Sequence, residues 1–160
     1  MQRVTILCVG KLKEKFYMDA VSEYSKRLSR HCKLEILELP EQRLSDNPSQ
    51  GEIDAALEKE AAAIREKLPK TGSLIAMCIE GKTMSSEELS KKMMQFGLSG
   101  SSQLTFLIGG SVGLHPALKQ EAQLRLSMSP MTFPHHLARV MLLEQIYRGY
   151  QILEGSRYHK

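Results

Sequence analysis

No apolar run in this 160-residue chain approaches the roughly 20 residues that a membrane-spanning helix needs. The N-terminus, MQRVTILCVGKLKEK, offers no signal peptide either: its apolar segment is short, and lysines follow where a small-residue cleavage site would stand. A cytosolic (cytoplasmic) protein is expected. Cysteine is scarce. Cys8, Cys32 and Cys78 cannot all pair, no two are spaced C-x-x-C, and the five histidines stand at no zinc-ligand spacing from them. Neither a disulfide framework nor a zinc site is expected, and no metal is predicted. Cys8 and Cys78 lie in apolar runs, where a thiol acts as a small core hydrophobe. Internal repeats, low-complexity blocks and linkers are also missing, so residues 1–160 are expected to form one domain.

What is present is an ordinary globular composition, 42% hydrophobic and 25% charged. The formal charge of +4 is mild, but it is unevenly placed. Lys11, Lys13 and Lys15 follow the first apolar run, and Arg139, Arg148, Arg157, His159 and Lys160 crowd the C-terminal end. Such groups fit a phosphate-backbone partner and fit equally well a solvated surface.

Short β-rich runs alternate with helical ones. Strands are predicted at Arg3 to Val9, Lys33 to Leu39, Ser73 to Glu80, Gln103 to Gly109 and Leu124 to Ser129. Helices are predicted at Phe16 to Arg30, Ile53 to Leu68, from the capping-box pair Ser85 and Glu88 to about Gly97, His115 to Gln123, and Pro134 to Leu153. The stretch Glu41 to Gln50, EQRLSDNPSQ, reads as a mobile surface loop. The resulting order βαβαβαβαβα predicts an α/β domain: a mostly parallel sheet with helices on both faces. Ligands of such sheets bind beyond the carboxyl ends of the strands, here after Val9, Glu80, Ile108 and Ser129.

One of those ends reads FLIGGSVGLHP, Phe106 to Pro116. It is not a P-loop, because SVGLHP supplies neither the lysine nor the Ser/Thr that follows the last glycine there. It is not a dinucleotide fingerprint either, since it follows the fourth strand and no acidic residue ends the next one. The glycines serve a tight turn before a helix, or they leave backbone bare for a flat ligand. The loop SMSPMTFPHH, Ser127 to His136, is stiffened by two prolines and carries methionines that are either core filler or pocket wall. With EGK after the third strand, three loops could enclose a nucleoside-sized ligand. In the last helix Glu144 and Arg148 stand one turn apart. Its apolar circumference calls for burial on several sides, by its own sheet and by a second subunit. The tail EGSRYHK is basic, aromatic and titratable; it is a frayed end or an RNA contact.

The segments VGKLKEKFY, EGKTMSSEEL, TFLIGGSVGLH, SMSPMTFPHHLARVMLLEQIYRGYQILEG and the terminal RYHK closely resemble the ribosomal RNA large subunit methyltransferase H (RlmH) family. That family lies within the SPOUT class of knotted methyltransferases, and the resemblance runs the whole length of the chain. It implies a C-terminal trefoil knot, a homodimer, and transfer of a methyl group from S-adenosylmethionine to N3 of a pseudouridine in 23S rRNA on the assembled 70S ribosome. It places cofactor contacts at Met77, Gly109, Met128, Ser129, Pro130, Met131, Thr132 and Phe133. Glu144, Tyr158 and His159 become candidate catalytic groups, and Arg139, Arg148, Arg157 and Lys160 candidate RNA-binding groups. Alternatives are a related enzyme acting on another RNA such as tRNA, or a nucleotide-binding protein without chemistry.

Overall fold

The computed structural model describes residues 1–99 and 101–160. Its elements are β1 (Gln2–Val9), α1 (Lys15–Leu28), β2 (Cys32–Leu39), α2 (Gln50–Lys67), β3 (Ser73–Thr83), α3 (Ser86–Leu98), β4 (Gln103–Ile108), α4 (Pro116–Glu121), β5 (Leu124–Ser127) and α5 (His135–Leu153). The strands form one sheet in the order β2-β1-β4-β3-β5, and every pairing is parallel. The expected α/β architecture is therefore present, with the sheet wholly parallel. None of the described helices is long and apolar enough to cross a membrane.

Alternation along the strands sorts side chains into two layers. Val4, Ile6 and Cys8 of β1 and Leu104, Phe106 and Ile108 of β4 point to one face, where Leu28 of α1, Leu89 and Met93 of α3, and Leu142, Leu143 and Ile146 of α5 cover them. Leu7, Val9 and Leu107 point to the other, under Ala61 and Ile64 of α2 and Leu118 of α4. Each fully buried Val, Leu, Ile, Phe or Met side chain among them contributes about 1.5–3 kcal/mol. Helix α5 packs between α1 and α3, so its apolar circumference is accounted for largely within one chain. The buried hydroxyls of Thr5 and Thr105 both accept from Nε2 of Gln103, at 2.9 and 3.3 Å.

Strand β3 departs from its expected end. It pairs with β5 through Met77, loses register, and resumes at Lys82, so that residues 78–81 loop out of the ladder. Gly81 does not close the strand. A Cβ there would lie 2.7 Å from the backbone of Arg125, so glycine permits a close approach of two chains. The segment Glu41 to Gln50 is also more ordered than its composition predicts. Gln42 N donates to the buried Glu60 (2.9 Å), and Ser49 caps α2 with a full capping box to Glu52.

Candidate active site

A cleft of about 700 Å³ opens at the carboxyl ends of β3, β4 and β5. Its walls are residues 77–80, the turn 108–114, the loop 128–134 without Pro130, and His135 and Ala138 of α5. Of the eight expected cofactor contacts, seven therefore meet in one place: Met77, Gly109, Met128, Ser129, Met131, Thr132 and Phe133. Pro130 belongs to the same loop but does not line the cleft. That loop is shaped by its own hydroxyls. Ser127 Oγ donates to Ser129 O (3.1 Å), and Ser129 Oγ accepts from Met131 N (3.0 Å). Lys119 and Glu80 pair across the rim at 2.6 Å, and that bond from Lys119 holds the Glu80 carboxyl below its usual range. Ile79 and Met131 remain 50% and 72% exposed at the mouth, which leaves its lip apolar.

The glycines of the β4 turn serve the turn as well as the cleft wall. A Cβ on Gly109 would lie 2.4 Å from Gly113 O, and one on Gly110 would lie 2.7 Å from Glu41 Oε1. Protein atoms crowd the Cβ space at both positions, and both glycines also line the cleft. Gly113 alone of the three needs the left-handed region, with φ at +82°.

A second polar cluster lies on the far part of α5 and in the tail. Glu144 Oε1 accepts from Arg148 Nε (2.7 Å) and its Oε2 accepts from Tyr158 Oη (2.8 Å). Burial, and then that bond to Glu144, push the Tyr158 phenol above its ordinary range, so it stays protonated and donates. Arg148 Nη1 lies 3.1 Å from His159 Nδ1, and His159 Nε2 lies 2.6 Å from Glu87 Oε1. Because guanidinium has no acceptor, Nδ1 must accept, and the ring N–H then donates to Glu87. The three expected catalytic groups, with Arg148, form one hydrogen-bonded unit. None of them lines the cleft of their own chain. From His135 to Glu144 the helix rises about 13 Å.

Arg139 corrects an expectation. It is 1% exposed, with Nη1 donating to Glu38 Oε2 (2.6 Å) and Nη2 to Gly10 O (3.1 Å). It is an internal strut and not a clamp for RNA. Arg157 and Lys160 are exposed, and Arg148 is half-buried against Glu144. Two residues at the cleft were not singled out in the sequence. His135 lines the cleft with its Nε2 buried and without a hydrogen-bond partner among the described residues, and it stands 3.9 Å from Glu41 Oε2. Burial, and then the adjacent His136, hold its pKa below the usual value. The doublet in PHH marks His135 in sequence; nothing local marks Glu41, 94 positions away.

A cleft walled by three strand-end loops of a parallel sheet, with a C-terminal helix leaving its mouth, defines a class. The chain matches, over residues 2–159, the family described as "Predicted SPOUT methyltransferase", and it belongs to that family. Its place within the family is with the ribosomal RNA large subunit methyltransferase H proteins. The chain is 48% identical over 157 residues to the protein of that name from Clostridium kluyveri, covering 98% of this chain and 99% of that one. It is 46% identical over 158 residues to the one from Acetivibrio thermocellus, covering 99% of each. Among solved structures it is similar in fold to a probable methyltransferase from Bordetella pertussis, with a TM-score of 0.60, 10% identity, and coverage of 93% of this chain and 95% of that chain.

Proposed function

We propose that this methyltransferase transfers a methyl group from S-adenosylmethionine to N3 of a pseudouridine in 23S rRNA within the assembled ribosome. It does so as a single domain of residues 1–160 that works as a homodimer, with its C-terminal segment threaded as a trefoil knot. The observation that carries the proposal is the cleft. Its volume of about 700 Å³ suits a nucleoside-sized ligand. Met77, Met128 and Phe133 offer apolar and sulfur surface to an aromatic base. The β4 turn lacks the P-loop sequence, and Lys119 in the lining is paired with Glu80 at 2.6 Å, which agrees with a donor that carries no phosphate.

When bound, the donor supplies an electrophilic methyl carbon. The chain's own residues must then hold the two reactants in line and receive the N3 proton. The Glu144 carboxylate is the acceptor best placed for that proton, with Tyr158 and Arg148 fixing both of its oxygens. His159, held between Arg148 and Glu87, completes the unit. Since these groups stand away from the cleft of their own chain, a second copy that brings its α5 and tail over the apolar lip at Ile79 and Met131 would complete the site. Arg157 and Lys160, with Lys11, Lys13 and Lys15 at the carboxyl end of β1, leave positive charge exposed for phosphates.

Labelled methyl transfer to intact ribosomes lacking the modification, with free rRNA and tRNA as controls, tests the proposal. Incorporation into ribosomes alone is expected; incorporation into tRNA alone would overturn it. Glu144→Ala is expected to lower the rate by 10²–10⁴-fold, the usual contribution of a positioned base. If Glu144→Ala, Tyr158→Phe and His159→Ala all kept the full rate, side-chain base catalysis would be wrong.

A further inference from the structure

We propose that Glu41 is a positioning residue for this cleft, bracing its β4 wall from behind beside the first turn of α5. The inference rests on the cleft being the donor site. Glu41 belongs to the connection between β2 and α2 and does not itself line the cleft. Its Oε1 accepts two hydrogen bonds from one residue of the β4 turn, from Ser111 N at 2.8 Å and from Ser111 Oγ at 2.7 Å. The same oxygen fills the space that a Cβ on Gly110 would occupy. The other oxygen faces His135 Nε2 at 3.9 Å, in the first turn of α5. Gly110, Ser111 and His135 all line the cleft, so one carboxylate is bonded to the β4 wall and lies against the first turn of the α5 wall.

The brace is anchored and ionised. Its neighbour Gln42 donates a backbone N–H to Glu60 on α2, which fixes the connection just beyond Glu41. Burial alone would raise the Glu41 pKa. The two hydrogen bonds from Ser111, with His135 and His136 nearby, more than offset this and hold it below its usual range. Bonds to an ionised acceptor are about twice as strong as neutral ones. The turn that receives them has little else to hold it at this point: Gly113 N donates to Gly110 O across its mouth (3.1 Å), and Ser111 is exposed. Glu41 belongs to neither hydrophobic core cluster. Losing it should therefore loosen the cleft wall while leaving the global fold nearly intact.

Two variants separate the hydrogen bonds from the charge. Glu41→Ala removes both, whereas Glu41→Gln keeps an oxygen that can accept from Ser111 and removes only the charge. The measurements are S-adenosylmethionine affinity by calorimetry, donor KM and kcat on ribosomes, amide hydrogen exchange at Ser111, and Tm. For Glu41→Ala we expect donor Kd and KM to rise about tenfold, the equivalent of one charge-assisted hydrogen bond. Exchange at Ser111 should quicken, kcat at saturating donor should stay within about twofold, and Tm should fall by less than about 3 °C. Glu41→Gln should recover most of the affinity. Wild-type affinity in Glu41→Ala would overturn the proposal, as would a loss of affinity matched by a large fall in Tm or by equal losses in kcat. Failure of the wild-type protein to bind S-adenosylmethionine would instead overturn the donor assignment on which the proposal rests.

Discussion

Replacing Arg139 by alanine separates two roles, the RNA clamp expected from the sequence and the internal strut of the fold. The side chain is 1% exposed, and its guanidinium makes a 2.6 Å bond to Glu38 and a 3.1 Å bond to Gly10 O. Removing one partner of a buried ion pair costs about 3–5 kcal/mol. Glu38 is 32% exposed on its side chain and also accepts from Leu12 N, so it can recover hydration, and the lower end applies. Gly10 O loses its partner, and the vacated volume adds a cavity penalty, which keeps the total near 3 kcal/mol. For a chain of this size each kcal/mol lowers Tm by about 2–4 °C, so a fall of about 6–12 °C is expected. Glu38→Gln combined with Arg139→Ala should cost less than the two single changes summed, since each disrupts the same contact. The assay is thermal unfolding by circular dichroism, paired with methyl transfer to ribosomes well below the lowered Tm. Activity there should be largely retained. An Arg139→Ala protein with unchanged Tm that no longer binds ribosomes would refute the strut and restore the RNA clamp.

Three other outcomes follow from the geometry. Gly109→Ala drives its Cβ to 2.4 Å from Gly113 O, so the turn must move, and calorimetry should show at least about a tenfold loss of donor affinity with about 1–3 kcal/mol of destabilisation. Burial pushes Cys8 up to about 12 and Cys32 up to about 11, while Cys78 is only half-buried at the cleft. Iodoacetamide at pH 8 should therefore label Cys78 first, and more slowly with donor bound; mass spectrometry showing Cys8 labelled before Cys78 would contradict the fold. His135 is kept neutral in the folded state, with its pKa below the ordinary value of about 6.5, so the unfolded chain binds more protons in that window. Stability should decline as pH falls below about 6.5, and Tm measured against pH should show a shallower acid limb in His135→Gln.

Patterns that repeat along the chain were legible in sequence, and contacts across it were not. The short β-rich runs RVTILCV and QLTFLIG placed β1 and β4, and Ser85 marked the start of α3, because apolar runs and cap chemistry are local. The same logic passed over Ser49 and Glu52, which form the complete capping box, because DNPSQ composition argued for a loop. Gly81 looked like a strand end, since the shift of register opposite Leu126 depends on β5, more than 40 residues later in the chain. The three cleft loops were identifiable as strand ends, but their glycines were assigned to the ligand. Only the fold shows that Gly113 and Glu41 fill the space beside them. Arg139 was misassigned for the same reason: charge is visible in sequence, and a partner 101 positions away is not.

The position of α5 also bears on biosynthesis. The larger core layer joins β1 to Leu142, Leu143, Ile146 and Tyr150, which are made long after it. Until that helix has left the ribosome, the sheet face formed by Val4, Ile6, Leu104 and Phe106 lacks its central cover, and a chain arrested after β5 would display it. Such long-range closure is slow, and exposed apolar surface invites aggregation. A ribosomal RNA methyltransferase thus relies on the ribosome delivering helix α5 before its own core can shut.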